Sequence, residues 1–350
     1  MIMKKFGPIT LFGSGETLPA SGAAYEYNAI KLDQPPQISI LETPAGFQPN
    51  TEIVARKVAE FIESRLQNYH PATKIIPARK SEGEFSTNSE KILEPLLSSN
   101  WIFIGPGSPT YAVKHMKNSL LYKYLYAAHA AGSALTFSSA AVLAMSHLTL
   151  PVYEIYKVGD ELHWRPGLDF FLAFGLESVF IPHWNNNSGG EELDTRRCYM
   201  GVERFLQLKK LLPQDMPIIG IDEQTALTFN FENKIRWKVT GIGNVTIEKD
   251  ARISTLAQGE YDPGDYGFSM AYPKSFSPDI TDLITRFENT KAQENVIEPP
   301  EAVIMLAEKR ATARDVKDWQ TADQLRSQIE KLGWGVLDQE NGYELTPQND

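Results

Sequence analysis

Residues 133–145 read SALTFSSAAVLAM. An apolar, β-prone run over 134–137 stops at Ser138-Ser139 and gives way to small helix formers. That is the pattern of a strand–nucleophile–helix elbow, in which a hydroxyl is held out at a sharp turn. A serine hydroxyl is a poor nucleophile at neutral pH, so it needs a base within hydrogen-bond reach, and the base needs an orienting acceptor. His183 ends the strand-like run SVFIPHW and is the base candidate. His70, His115, His129, His147 and His163 fall in helices or polar loops. Glu154 lies fifteen positions after Ser139 in LPVYEIYKVGDEL, read as a strand, and would hold the imidazole tautomer. Asp160 and Glu161 are its rivals, and a solvated Glu154 paired with Lys157 is the structural alternative. The oxyanion of an acyl-transfer step needs backbone N–H donors; Ala140 and Gly107 are suited to provide them.

Positioning these groups requires strands that end side by side. Residues 8–12, 38–41, 74–76, 101–104, 134–137, 178–181 and 217–221 are apolar runs of strand length. Helical stretches lie between them. Over 53–66, Val54, Val58, Phe61, Ile62 and Leu66 share one face, and 111–131 and 202–212 behave similarly. Such alternation predicts an α/β fold with a mainly parallel sheet sandwiched by helices. Early strands run into the small-residue loops 13–16, 43–46 and 105–108. In open α/β sheets ligands bind beyond the carboxyl ends of the strands, so these loops and Ser139 are expected to share one cleft. Residues 227–249 alternate about a Glu232-Asn233 turn and predict antiparallel hairpins closing the sheet edge. A helix near 279–287 follows. The polar stretch 291–300 reads as a linker between a domain at 1–290 and a module at 301–350. The module is expected to hold helices at 301–316 and 320–332, then a strand pair turning at Asn341-Gly342.

The 350 residues are 42% hydrophobic with a net charge of −10, which argues against a general nucleic-acid-binding surface. One cysteine, Cys198, excludes an internal disulfide and points to a reducing, cytoplasmic location. It reads as a buried filler, or as a thiol whose pKa Arg196 and Arg197 lower. The start MIMKKFGPITLFGSGE reads as a first strand rather than a signal peptide, and no run is long enough to span a bilayer. No metal-ligand spacing or dinucleotide fingerprint is readable, so no cofactor is expected.

These residues resemble the S51 peptidases, which include aspartyl dipeptidase and cyanophycinase on a class I glutamine amidotransferase-like fold. The family's Gly-x-Ser-Ala-Gly elbow is matched by Phe137-Ser138-Ser139-Ala140-Ala141, with both glycines replaced. Its Gly-Gly-Gly-Asn loop is similar to Gly105-Pro106-Gly107-Ser108, where Pro106 removes a backbone donor. Pro182-His183-Trp184 resembles the family's histidine context. Asp194-Thr195-Arg196 resembles its Glu-Thr-Arg, and Gly220-Ile221-Asp222-Glu223-Gln224-Thr225-Ala226 resembles a cyanophycinase segment. The resemblance covers about residues 5–250. It implies a serine hydrolase acting on a small peptide or amide, with Ser139, His183 and Glu154 as its triad. Arg196 or Arg197, together with Ser108, would receive an acidic substrate side chain. A salt bridge from Arg196 to Glu192 is the alternative for that arginine.

Residues 308–345 resemble the C-terminal helical domain of cysteinyl-tRNA synthetase. Arg310, Arg314 and Lys317 would then form a basic stripe toward tRNA, against the reading of a plain packing helix pair with internal ion pairs. Two other readings compete with a hydrolase of this family. One is an inactive binding protein whose tail contacts tRNA or another protein, favoured by the altered elbow. The other is an α/β-hydrolase, whose chain order matches but whose Gly-x-Ser-x-Gly elbow is absent. Ser138 is a rival hydroxyl.

Overall fold

The computed structural model describes residues 6–294, 299–339 and 342–347. The chain divides into two compact units on either side of Thr290 and Lys291. The larger unit is built on an eight-stranded sheet. Its order is Gly259–Tyr261, Ile235–Gly241, Thr225–Phe231, Ile9–Phe12, Ala134–Ser138, Trp101–Ile104, Gln37–Leu41 and Ala72–Ile76. The last five run parallel and the first three are antiparallel additions. Side chains alternate between two apolar cores. Ile102, Ile104, Leu135 and Phe137 face one core, whereas Trp101, Phe103, Ile38 and Ile40 face the other. Strands covered on both faces need a continuous apolar run, which is why they are legible as such.

The helices cover those faces. Thr51–Arg65 buries Ala55, Val58, Ala59 and Ile62, one stripe at helical spacing. The stretch expected as one helix over 111–131 is two, Pro109–Met116 and Leu120–Ala130. Asn118 takes a left-handed φ of 58° between them. Ser119 then starts the second helix, its Oγ accepting from the Tyr122 amide at 3.2 Å.

The 227–249 region does not close one sheet edge as expected. Its first hairpin, Thr225–Phe231 with Ile235–Gly241, lies directly beside the first strand, inside the sheet order. Val245–Lys249 leaves for a second sheet, ordered Arg252–Leu256, Val245–Lys249, Ile218–Ile221 and Val179–Ile181. In that sheet Val179–Ile181 and Ile218–Ile221 are parallel neighbours, so the chain segments that follow them emerge together.

The helix expected near 279–287 spans Pro278–Glu294 and so takes up the first part of the expected linker. Residues 295–298 of that linker, Asn341 of the expected turn and residues 1–5 at the start lie outside the described residues. The smaller unit consists of helices Glu301–Asp315 and Trp319–Lys331 followed by the paired strands Trp334–Gln339 and Gly342–Pro347. Val303, Ala307, Ile329, Trp334 and Val336 form its core.

Candidate active site

Ser139 follows Ala134–Ser138 without a spacer and precedes the helix Ala140–Met145. Its backbone sits at φ 52°, ψ −111°, a conformation that costs a non-glycine residue about 1–3 kcal/mol and must be held by its surroundings. The Ser139 amide donates to the Phe12 carbonyl of the neighbouring strand at 3.4 Å. The two replaced elbow glycines cause no conflict. Phe137 is fully buried with its ring against Phe170, centroids 5.8 Å apart, and so points into the core. Ala141 lies inside the helix, where its methyl is buried. Ser138 is committed elsewhere, donating to Glu16 Oε2 at 2.8 Å.

His183 follows the strand Val179–Ile181 and also has positive φ, 52°. Its Nε2 lies 3.0 Å from Ser139 Oγ, and its Nδ1 lies 2.9 Å from Glu223 Oε1. Glu223 comes two residues after the parallel strand Ile218–Ile221. The carboxylate is itself fixed: Asn186 Nδ2 donates to the same Oε1 at 2.6 Å, and the Glu223 amide donates to Asn185 Oδ1 at 2.8 Å. The bond from His183, then that from Asn186, holds the Glu223 carboxyl below its usual range despite partial burial. Gly13 makes this convergence possible. A Cβ there would meet the Asp222 carbonyl at 2.0 Å, so only glycine lets the end of the first strand lie against residues 221–222. The Gly13 carbonyl in turn accepts the His183 amide at 3.0 Å.

A left-handed turn backs the histidine. Arg197, Cys198 and Tyr199 have φ of 60°, 57° and 67°. L-residues rarely adopt this conformation in succession, since each step costs about 1–2 kcal/mol. The turn is tied down from both ends. The Cys198 amide donates to the His183 carbonyl at 3.1 Å, and the Arg197 amide donates to the Trp184 carbonyl at 3.0 Å. The Arg197 guanidinium lies 3.7 Å over the Trp184 ring. Tyr199 places its ring 5.4 Å from that of His183.

Gly107, Ser139, Ala140 and His183 line one cavity of about 380 Å³, with Leu143, Val152, Tyr153, Tyr156, Lys157 and Tyr199 among its other walls. Ala140 is the first residue of its helix, so its N–H has no intrahelical acceptor. Gly107 has φ 151°, and a Cβ there would meet the Pro44 carbonyl at 2.0 Å. Ser108 anchors the loop by donating its amide to that same carbonyl at 2.8 Å.

Several expected placements need correction. Glu154 does not reach His183. Its segment is a helical turn, Glu154–Val158, rather than a strand, and its Oε1 accepts from Thr110 Oγ1, with Arg165 Nη1 at 4.0 Å. Val152, Ile155 and half-buried Tyr156 are inward at helical spacing, which a six-residue alternation imitates. The Ser108 hydroxyl caps the helix Pro109–Met116, accepting from the Tyr111 amide at 3.2 Å, and does not line the cavity. Arg196 is exposed and makes a two-pronged pair with Asp194 at 2.9 and 3.0 Å, not with Glu192; Arg197 is spent on Trp184. Neither arginine lines the cavity. Burial pushes the Cys198 thiol up rather than down. In the smaller unit, Arg310 is 3% exposed and pairs with Asp338 at 2.7 and 3.0 Å, so it cannot face a nucleic acid. Arg314 shares the Asp338 carboxylate at 3.2 Å.

The sequence reading missed Glu223, Asn185 and Asn186 as members of the constellation. For Glu223 the signal was present: it follows a strand end, the same placement that singled out His183. The two asparagines carry no signal beyond following that histidine.

No protein-family model matches the chain. Among solved structures, a peptidase from an acI-B1 Actinobacterium aligns at TM-score 0.57 and 22% identity, covering 73% of this chain and 96% of that one. A putative peptidase E from Listeria monocytogenes aligns at TM-score 0.45 and 12% identity, over 68% of this chain and all of that one. Among curated proteins, the cysteine–tRNA ligase of Opitutus terrae is 50% identical over 50 residues, which is 14% of this chain and 11% of the ligase. That of Oenococcus oeni is 34% identical over 90 residues, 26% of this chain and 19% of the ligase. The chain thus spans under a fifth of either ligase. The fold is α/β, a mainly parallel sheet between helices of the class I glutamine amidotransferase-like kind, shared with the actinobacterial peptidase.

Proposed function

We propose that this chain is a serine-type hydrolase of peptide or amide bonds. Ser139 Oγ attacks the carbonyl carbon as His183 Nε2 takes its proton. Glu223 holds Nδ1–H and stabilises the imidazolium. The amides of Gly107 and Ala140 face the oxygen that becomes negative. His183 then returns the proton to the departing amine, and a water activated by the same imidazole releases the acyl group from Ser139. One observation supports this above all others: the unbroken relay from Ser139 through His183 to Glu223, at 3.0 and 2.9 Å, contributed by three separate strand ends. The strained Ser139 backbone points the same way, against the inactive-binding reading. The test is labelling by a fluorophosphonate probe. Ser139→Ala should abolish labelling with circular dichroism and melting temperature unchanged; full labelling of that variant would remove Ser139 from the role.

For the smaller unit, the short likeness to cysteine–tRNA ligases favours a second reading, a tRNA contact through Arg314 and Lys317. A mobility-shift titration with transcribed tRNA should show binding that Arg314→Glu with Lys317→Glu removes. Transcribed tRNA that migrates alike with and without the parent protein sinks this reading.

A further inference from the structure

Resting on the hydrolase reading, one feature of the cavity goes beyond it: among the described residues, the one cation in its wall is Lys157, whose side chain is exposed rather than held in place. Beyond the reacting groups and the edge made by Gly107 and Pro109, the lining is Leu143, Val152, Tyr153, Tyr156, Lys157 and Tyr199, with the buried Cys198 thiol. Tyr156 and Tyr199 pack on each other, ring centroids 5.7 Å apart at 41°, and form one continuous aromatic wall. A carboxylate placed against such a wall loses its hydration without gaining a partner, which disfavours its binding. The nearby cations are occupied. Arg196 is held by Asp194, Arg197 lies on Trp184, and Arg165 is turned to Glu154. Lys157 is the exception among the lining residues. It is exposed, with its ammonium 5.4 Å from the centre of the Tyr156 ring, where water screens it. A flat, uncharged side chain meets the opposite conditions. It buries apolar area and finds tyrosine rings to pack on.

We propose that the cavity is a subsite for an aromatic or large aliphatic side chain carried by the residue whose carbonyl Ser139 attacks, and that Tyr156 is its specificity-determining wall. The experiment uses aminoacyl diphenyl phosphonates bearing phenylalanine, leucine, aspartate or lysine side chains, with the amine free and acylated. In each, Ser139 Oγ bonds to phosphorus and phenoxide leaves, so the inactivation rate reads the subsite without the natural substrate. A small fluorophosphonate without a side chain is run in parallel. Phenylalanine and leucine reagents should inactivate at least about tenfold faster than the aspartate one, the gap that 1.4 kcal/mol of differential binding produces. Tyr156→Ala should shrink the advantage of the phenylalanine and leucine reagents over the aspartate one about tenfold, and Tyr156→Phe should keep it. An aspartate or lysine reagent as fast as phenylalanine, with fluorophosphonate labelling intact, overturns the subsite and leaves the hydrolase standing. Loss of the fluorophosphonate reaction in the parent protein overturns both.

Discussion

Replacing Glu223 with glutamine removes one negative charge and keeps the shape that Asn186 packs on. With Nδ1 and Oε1 2.9 Å apart, the two charge centres are about 4 Å apart once His183 is protonated in the transition state. At an effective dielectric of about 20 their attraction is about 4 kcal/mol. Glu223 is 31% exposed, and that solvent lowers the figure to about 2–3 kcal/mol. At 1.36 kcal/mol per decade this corresponds to roughly a hundredfold loss of rate. The glutamine amide can also turn its N–H₂ toward Nδ1, favouring the tautomer with its proton on Nε2, which cannot accept from Ser139. That addition takes the expected loss to about 10²–10³-fold. The assay is the second-order rate of fluorophosphonate inactivation at pH 7.5, on protein shown to be folded by urea titration. Glu154→Gln is the control, expected within threefold of the parent. A Glu223→Gln rate within threefold of the parent, or an equal loss in Glu154→Gln, refutes the assignment of the acid. Stability should respond as well. The depressed Glu223 carboxyl adds stability above the ordinary carboxylate range, lost as pH falls through and below that range, so the variant should flatten part of the acid limb of a stability–pH curve.

His129 is fully buried among Phe6, Phe174 and Phe231, with neither ring nitrogen hydrogen-bonded, and its pKa is pushed down from 6.5 to about 3 by burial. The unfolded chain binds a proton that the native one refuses, so stability falls as pH drops below 6.5. The loss is about 2 kcal/mol by pH 5, and His129→Leu should abolish it in urea titrations at the two pH values. Cys198, buried with its thiol pushed up, should resist iodoacetamide at pH 8 in the native state and react in urea; native alkylation at the rate of a free thiol contradicts that burial. Gly107→Ala forces a methyl into the Pro44 carbonyl at positive φ, and should lower the melting temperature by about 5 °C and slow labelling at least tenfold, as read by calorimetry and the same probe.

The strands of the large unit were legible because both faces are covered, which writes each as an unbroken apolar run; the helix over 51–65 was legible from its single stripe. The acid of the constellation was misplaced for a physical reason. Distance along the chain says nothing about which strand ends are neighbours. Glu154 is near Ser139 in sequence, yet the turn Glu154–Val158 carries its carboxylate to Thr110. Glu223 is 84 positions from Ser139, yet its strand runs parallel beside that of His183. Applied evenly, the strand-end rule would have reached it: 134–138 delivers the hydroxyl, 179–181 the imidazole and 218–221 the carboxylate. The arginines were misread because charge alone does not reveal commitment. Arg197 supports a left-handed turn whose strain must be offset by bonds to His183 and Trp184, and no pattern of residue types announces three successive positive φ values. The site is thus a set of strand ends, each backed by a conformation that its own residue type disfavours: Ser139 at its elbow, His183 beyond its strand, and the 197–199 turn behind them. Such strain persists only where surrounding contacts over-determine it. For that reason Arg197→Ala, which touches neither reacting atom, should slow labelling more than it lowers stability.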